Sequence, residues 1–87
     1  MARRNSFDIY ADILRLAEGG ARVTRLAYGA NLNFKILKKY LNKLIEARLI
    51  FLKDGVYVTT NYGQEYLLKY NDLFQLTSPD AYPQLAV

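Results

Sequence analysis

Between residues 49–53 and 56–60, two runs rich in β-branched and aromatic side chains, stands the pair Asp54-Gly55. A two-residue loop of this kind closes in a type I′ turn, which needs positive φ at both central positions and so selects Asp-Gly. The runs therefore form a hairpin in one register: Leu52 opposite Tyr57, Ile50 opposite Thr59, and Phe51 opposite Val58 on the other face. A lone ribbon is barely stable in water, so the rest of the chain has to cover it. With 87 residues, 52% of them hydrophobic, and a mean hydropathy of −0.09, the chain supports one small domain with a thin core. Both ribbon faces are partly apolar, and the surplus face of Phe51 and Val58 is expected to lie against a partner subunit.

Everything else with a period reads as helix. Over 7–18, Ile9, Tyr10, Ile13, Leu14, Leu16 and Ala17 recur three and four apart, with Asp8, Asp12, Arg15 and Glu18 opposite. Ser6 is the expected N-cap, Asp8 complements the dipole, and Gly19-Gly20 supplies the left-handed stop. A brief helix over 24–30, capped by Thr24 and closed by Asn31, buries Leu26 and Ala27. Asn33 then caps a third helix over 34–47. Its apolar face is Phe34, Leu37, Leu41, Leu44 and Ile45; opposite stand Lys35, Lys39 and Lys43 with Asn42 and Glu46, and Lys38 flanks them. Lysines stacked four apart repel by about 0.2–0.5 kcal/mol per pair, so the stripe is unfavourable to the helix alone.

Thr60 caps the last helix, 61–76. There Tyr62, Tyr66, Tyr70 and Leu73 form a stripe widened by Leu67 and Phe74, until Thr77-Ser78-Pro79 ends the pattern. The expected organisation is a basic arm over 1–6, a domain over 7–76 and a mobile tail over 77–87.

Absent residue types narrow the chemistry. The chain has no Cys and no His, which removes disulfides, thiolate sites and the commonest general base and metal ligand. Asp8 and Asp12 share a helix face without a third ligand or a Gly-rich loop, so neither a metal site, a cofactor nor an enzyme is expected. No apolar run reaches the ~18 residues of a membrane span, and Asp8 and Asp12 break any secretory leader, so a cytoplasmic protein is expected. Twelve Lys and Arg against eight Asp and Glu give +4 and a pI near 9.4, which favours a polyanionic partner.

Helix, helix-turn-helix, hairpin and helix together make an α+β winged helix-turn-helix. In that order the third helix enters the major groove, and the hairpin tip reaches phosphate or the minor groove. The lysine stripe falls on the helix so nominated.

Residues 28–34, Tyr28-Gly29-Ala30-Asn31-Leu32-Asn33-Phe34, with Leu37, Tyr40-Leu41 and Thr60-Asn61-Tyr62-Gly63, resemble the small archaeal winged-helix DNA-binding proteins, chromatin-associated or regulatory. The likeness covers residues 3 to 75. It implies sequence-tolerant binding of double-stranded DNA, a nucleoid-associated location and a homodimer through the C-terminal helix. Two positions depart: Pro79 ends a final helix that is longer in the family, and Gly29 stands where a bulkier or basic residue, able to touch phosphate, is usual.

The expected DNA contacts are Lys35, Lys39 and Lys43 on phosphates, with Asn33, Lys35 and Lys38 nearest the base edges. Arg22 and Arg25 open the second helix, Lys53 sits on the wing, and Arg3 and Arg4 form the arm. The expected dimer seam is Tyr62, Tyr66, Leu67, Tyr70, Leu73 and Phe74. The alternatives are a winged helix that binds protein rather than nucleic acid, with the Phe51 and Val58 face as its surface, and an RNA-binding module.

Overall fold

The first helix is capped one residue earlier than its sequence suggests. In a computed structural model describing residues 4–77, with side chains for 4–73, the order is α1 (Ser6–Leu16), α2 (Val23–Ala30), α3 (Phe34–Glu46), β1 (Ile50–Lys53), β2 (Val56–Thr59) and α4 (Asn61–Thr77). Arg3, the Phe74 side chain and the tail beyond 77 lie outside the described residues. Asn5, not Ser6, caps α1: its Oδ1 accepts from Asp8 N at 2.9 Å, and Asp8 Oδ2 accepts from Asn5 N at 3.0 Å. This reciprocal box satisfies two donors at once, which the Ser6 hydroxyl could not do.

The other end of α1 is finished from a distance. Thr59 on β2 donates its hydroxyl to Leu14 O at 2.7 Å and its amide to Ala17 O at 3.0 Å. Leu14 O, left over at the helix end, thus finds its donor on the hairpin, and Ala17 O, which also accepts from Gly20 N, gains a second one. The C-cap, Ala17, is not left-handed; of the two glycines only Gly20 is, at φ 94°. It turns the chain into Ala21, which exchanges main-chain bonds with Tyr57 at 2.9 and 2.8 Å. This one-residue third strand was not legible in the sequence. It also moves the start of α2: Arg22 follows in extended geometry and is the N-cap, where Thr24 was expected.

α2 and α3 end alike. Asn31 (φ 56°) and Arg48 (φ 63°) are left-handed, and the next amides reach back, Leu32 N to Ala27 O and Leu49 N to Leu44 O, both at 2.9 Å. These are Schellman closures, one with an arginine in the seat glycine usually takes. The hairpin keeps the expected register, with Asp54 and Gly55 both at positive φ.

The core is one cluster built on Ile13, Leu14, Leu26, Leu37, Leu41, Leu44 and Ile50. Phe34 and Ile45, expected inside, are 57% and 38% exposed. They lie roughly 50–75° around α3 from the centre of its buried leucines, at the margin of the stripe. Phe51 is exposed and Val58 half-buried, so that ribbon face is open on the single chain.

Two glycines mark close approaches. A Cβ on Gly29 would meet the Leu16 side chain at 2.7 Å. The position faces α1, where an added methyl would press on the end of the Leu16 side chain. A Cβ on Gly63 would lie 2.2 Å from Leu49 O. Thr60 completes that junction: Oγ1 accepts from Gly63 N (3.1 Å) and donates to Arg48 O (2.6 Å), while its amide donates to Leu49 O (3.0 Å). The first turn of α4 is thereby bolted to the exit of α3.

Candidate nucleic-acid interface

α3 is held by its core leucines and by an edge-to-face pair, Tyr10 on α1 against Tyr40, with ring centroids 5.1 Å apart. With that face fixed, Lys35, Lys38, Lys39, Lys43 and Asn42 all point to solvent. None of these lysines has an ion pair among the described residues; the pairs there are Arg4–Asp12 and Arg15–Asp12. The stripe is not uniform. Lys39 and Lys43 border a cavity of about 330 Å³ against α1, lined also by Ser6, Tyr10, Ile36 and Tyr40. Lys35 and Lys38 occupy the N-terminal half of the helix, beside Asn33.

Asn33 has a divided role. Its Oδ1 accepts from Ile36 N at 2.8 Å and caps α3. The cap leaves the amide NH₂ as the group free to donate. Arg25 is exposed on α2, and Lys53 is exposed at the end of β1. Arg22 opens α2 as its N-cap, and its Nη1 lies 3.0 Å from the position of a Cβ on Gly55, so its guanidinium rests on the wing turn. Arg4 extends back along α1 and pairs with Asp12 at 2.8 Å. An exposed pair of this kind holds its partners weakly.

The aromatic stripe of α4 is largely used within the chain. Leu67, assigned from sequence to a dimer seam, is 5% exposed and belongs to the core. Tyr66 donates its hydroxyl to Phe7 O at 3.1 Å, and Tyr70 donates to Asp8 Oδ1. The two rings stack at 6.4 Å, and the Arg15 guanidinium lies 5.5 Å from the Tyr70 ring centroid while also donating to Asn71. The Tyr70 hydroxyl, then the Asn5 amide, holds the Asp8 carboxyl below its ordinary value, and the same carboxylate raises Tyr70. Burial pushes Tyr66 up to about 12. Tyr62 and Leu73 remain 64% and 61% exposed on the near flank, with Leu73 on the rim of a groove of about 390 Å³ between α1 and α4.

The arrangement matches known proteins over nearly its whole length. A model of the winged helix-turn-helix family matches residues 3–78. The chain belongs to that family. The chain is similar to MJ0290 of Methanocaldococcus jannaschii, 32% identical over 79 residues that make up 90% of this chain and 37% of that protein. The match thus spans little over a third of the relative's length. It is also similar to the crystal structure of Sso10a-2, a DNA-binding protein from Sulfolobus solfataricus. That likeness has a TM-score of 0.75 at 27% identity and covers 84% of this chain and 81% of the other. The resemblance to small archaeal winged-helix proteins therefore holds for the family and the fold. No described helix of this winged-helix chain is long and apolar enough to cross a membrane.

Proposed function

We propose that this winged helix binds double-stranded DNA by laying α3 in the major groove, as a homodimer joined along α4. The observation that carries the reading is the outward face of α3, where Lys35, Lys38, Lys39 and Lys43 stand exposed and without ion pairs among the described residues. The DNA-binding description of Sso10a-2 supports it. Ammonium groups suit phosphate better than base edges, where bidentate reading favours arginine. Binding is therefore salt-dependent and tolerant of sequence, in keeping with a chromatin-associated or regulatory role on the nucleoid. Arg25, Lys53 and, when released from Asp12, Arg4 extend the basic surface.

Fluorescence anisotropy with a mixed-sequence duplex across a salt series tests this. Each phosphate contact contributes ~0.9 to the slope of log affinity against log salt, so Lys35→Ala/Lys39→Ala/Lys43→Ala should flatten it by roughly 2.7. An unchanged slope would move the contacts off α3. Absence of binding at low salt, with a protein partner captured through the Phe51 ribbon face, would favour an interaction module instead.

A further inference from the structure

The wing tip reads poorly in sequence, one lysine beside Asp54. The fold adds a second cation to it. Ala21 pairs with Tyr57 in both directions, which sets the extended Arg22 (φ −84°, ψ 162°) alongside the turn end of β2. There the guanidinium lies against the bare Cα of Gly55, with Nη1 3.0 Å from where a Cβ would be. Gly55 is needed for its φ of 78°; its missing side chain also makes the seat. Arg22 has no hydrogen bond or ion pair there among the described residues, Asp54 included.

We infer that Arg22, rather than the wing's own Lys53, is the side chain with which the wing tip reads DNA, and that it favours minor grooves lacking the guanine amino group. The inference rests on duplex binding through α3 and adds a partner chemistry to it. The minor groove is only about 6 Å wide, and there A·T pairs show acceptors alone while G·C adds the N2 donor. A cation that only donates is matched by the first pattern and opposed by the second. A guanidinium also sheds water more readily than an ammonium, and narrow grooves concentrate negative potential that draws it in. An Asp-Gly tip is slim enough to bring that group to the groove. Arg22 Nη1 is what a Cβ on Gly55 meets within 4 Å, with no lysine of α3 beside it, so the preference is tested apart from the lysine stripe.

The test compares duplexes of one mixed sequence. Replacing guanine with inosine removes the minor-groove amino group and leaves the major-groove edge unchanged; replacing adenine with 2,6-diaminopurine adds the amino group. Wild type should favour the inosine duplex about fivefold, the lower end of what one position contributes to specificity, and should bind the diaminopurine duplex more weakly. Arg22→Ala should abolish both differences. Arg22→Lys should keep affinity for the guanine duplex yet lose most of the preference, and Lys53→Ala should retain it. Both positions are exposed, and matching thermal melts verify folding. Equal weakening on every duplex in Arg22→Ala would make Arg22 a phosphate contact and overturn the inference. So would a wild type without preference, or a preference that survives Arg22→Ala. Failure to bind any duplex at low salt would instead sink the α3 reading beneath it.

Discussion

Replacing Gly63 by alanine sets two opposed effects against each other, and the geometry decides the sign. In a helix, Gly→Ala ordinarily stabilises by about 0.5–1 kcal/mol, through propensity and a less flexible unfolded chain. Here the new methyl would lie 2.2 Å from Leu49 O and 2.5 Å from Thr59 Cγ2. The first neighbour is main chain, and it is held: Leu49 O accepts the Thr60 amide, and the Leu49 amide closes α3 on Leu44 O. Relief therefore requires the first turn of α4 to lift from the α3–β1 junction, straining the bonds of Thr60 to Arg48 O and Gly63 N. Overpacking of this kind costs about 1–3 kcal/mol, more than propensity returns. A net loss of ~1–2 kcal/mol lowers the melting temperature of a domain this size by roughly 4–16 °C. Urea denaturation and thermal melts followed by circular dichroism would measure it. Gly19→Ala is the control, since a Cβ there meets nothing within 4 Å; it should change stability by less than ~0.5 kcal/mol in the unfavourable direction. If Gly63→Ala melted at or above wild type, the close approach of α4 to Leu49 would not be what requires the glycine.

Three further outcomes follow from other contacts. Thr59→Val keeps the shape of the side chain but leaves Leu14 O without its 2.7 Å donor, and should cost about 1–3 kcal/mol by the same denaturation assay. Tyr66 titrates near 12 in the folded chain against 10 unfolded, so the folded state holds the proton longer. That contribution is complete below pH 10 and is lost as pH rises toward 12. Stability should therefore fall over that window, and less steeply in Tyr66→Phe, with phenolate absorbance reporting the titration. For the dimer, Tyr62→Glu/Leu73→Glu should shift sedimentation toward a monomer while leaving the melt of the domain little changed. An unaltered sedimentation coefficient would remove these two exposed residues from the seam.

Much of the architecture was legible because its causes are local. Asp54-Gly55 dictates a turn by its own φ preferences, and the turn dictates the register. Asn31 and Asn33 close one helix and open the next with their own side chains and backbone. The lysine face of α3 follows from spacing alone once Leu37, Leu41 and Leu44 face inward. The errors share a cause too. Phe34 and Ile45 satisfy the apolar period, yet only packing neighbours say how wide a stripe is covered. Ser6 and Thr24 are acceptable caps by type, and they lose to Asn5 and to the strand-directed Arg22.

The order of the elements, the hairpin register and the cationic side of the third helix each depend on residues a few positions apart, and so could be read directly from the chain. The contacts that needed the fold join residues far apart in the chain. Thr59 finishes α1, and Ala21 becomes a third strand on Tyr57. Tyr66 and Tyr70 turn toward α1, and Arg22 is carried to Gly55. In each case a polar group or a long side chain has no sufficient partner nearby in sequence, and its partner is chosen by which element the fold brings within reach.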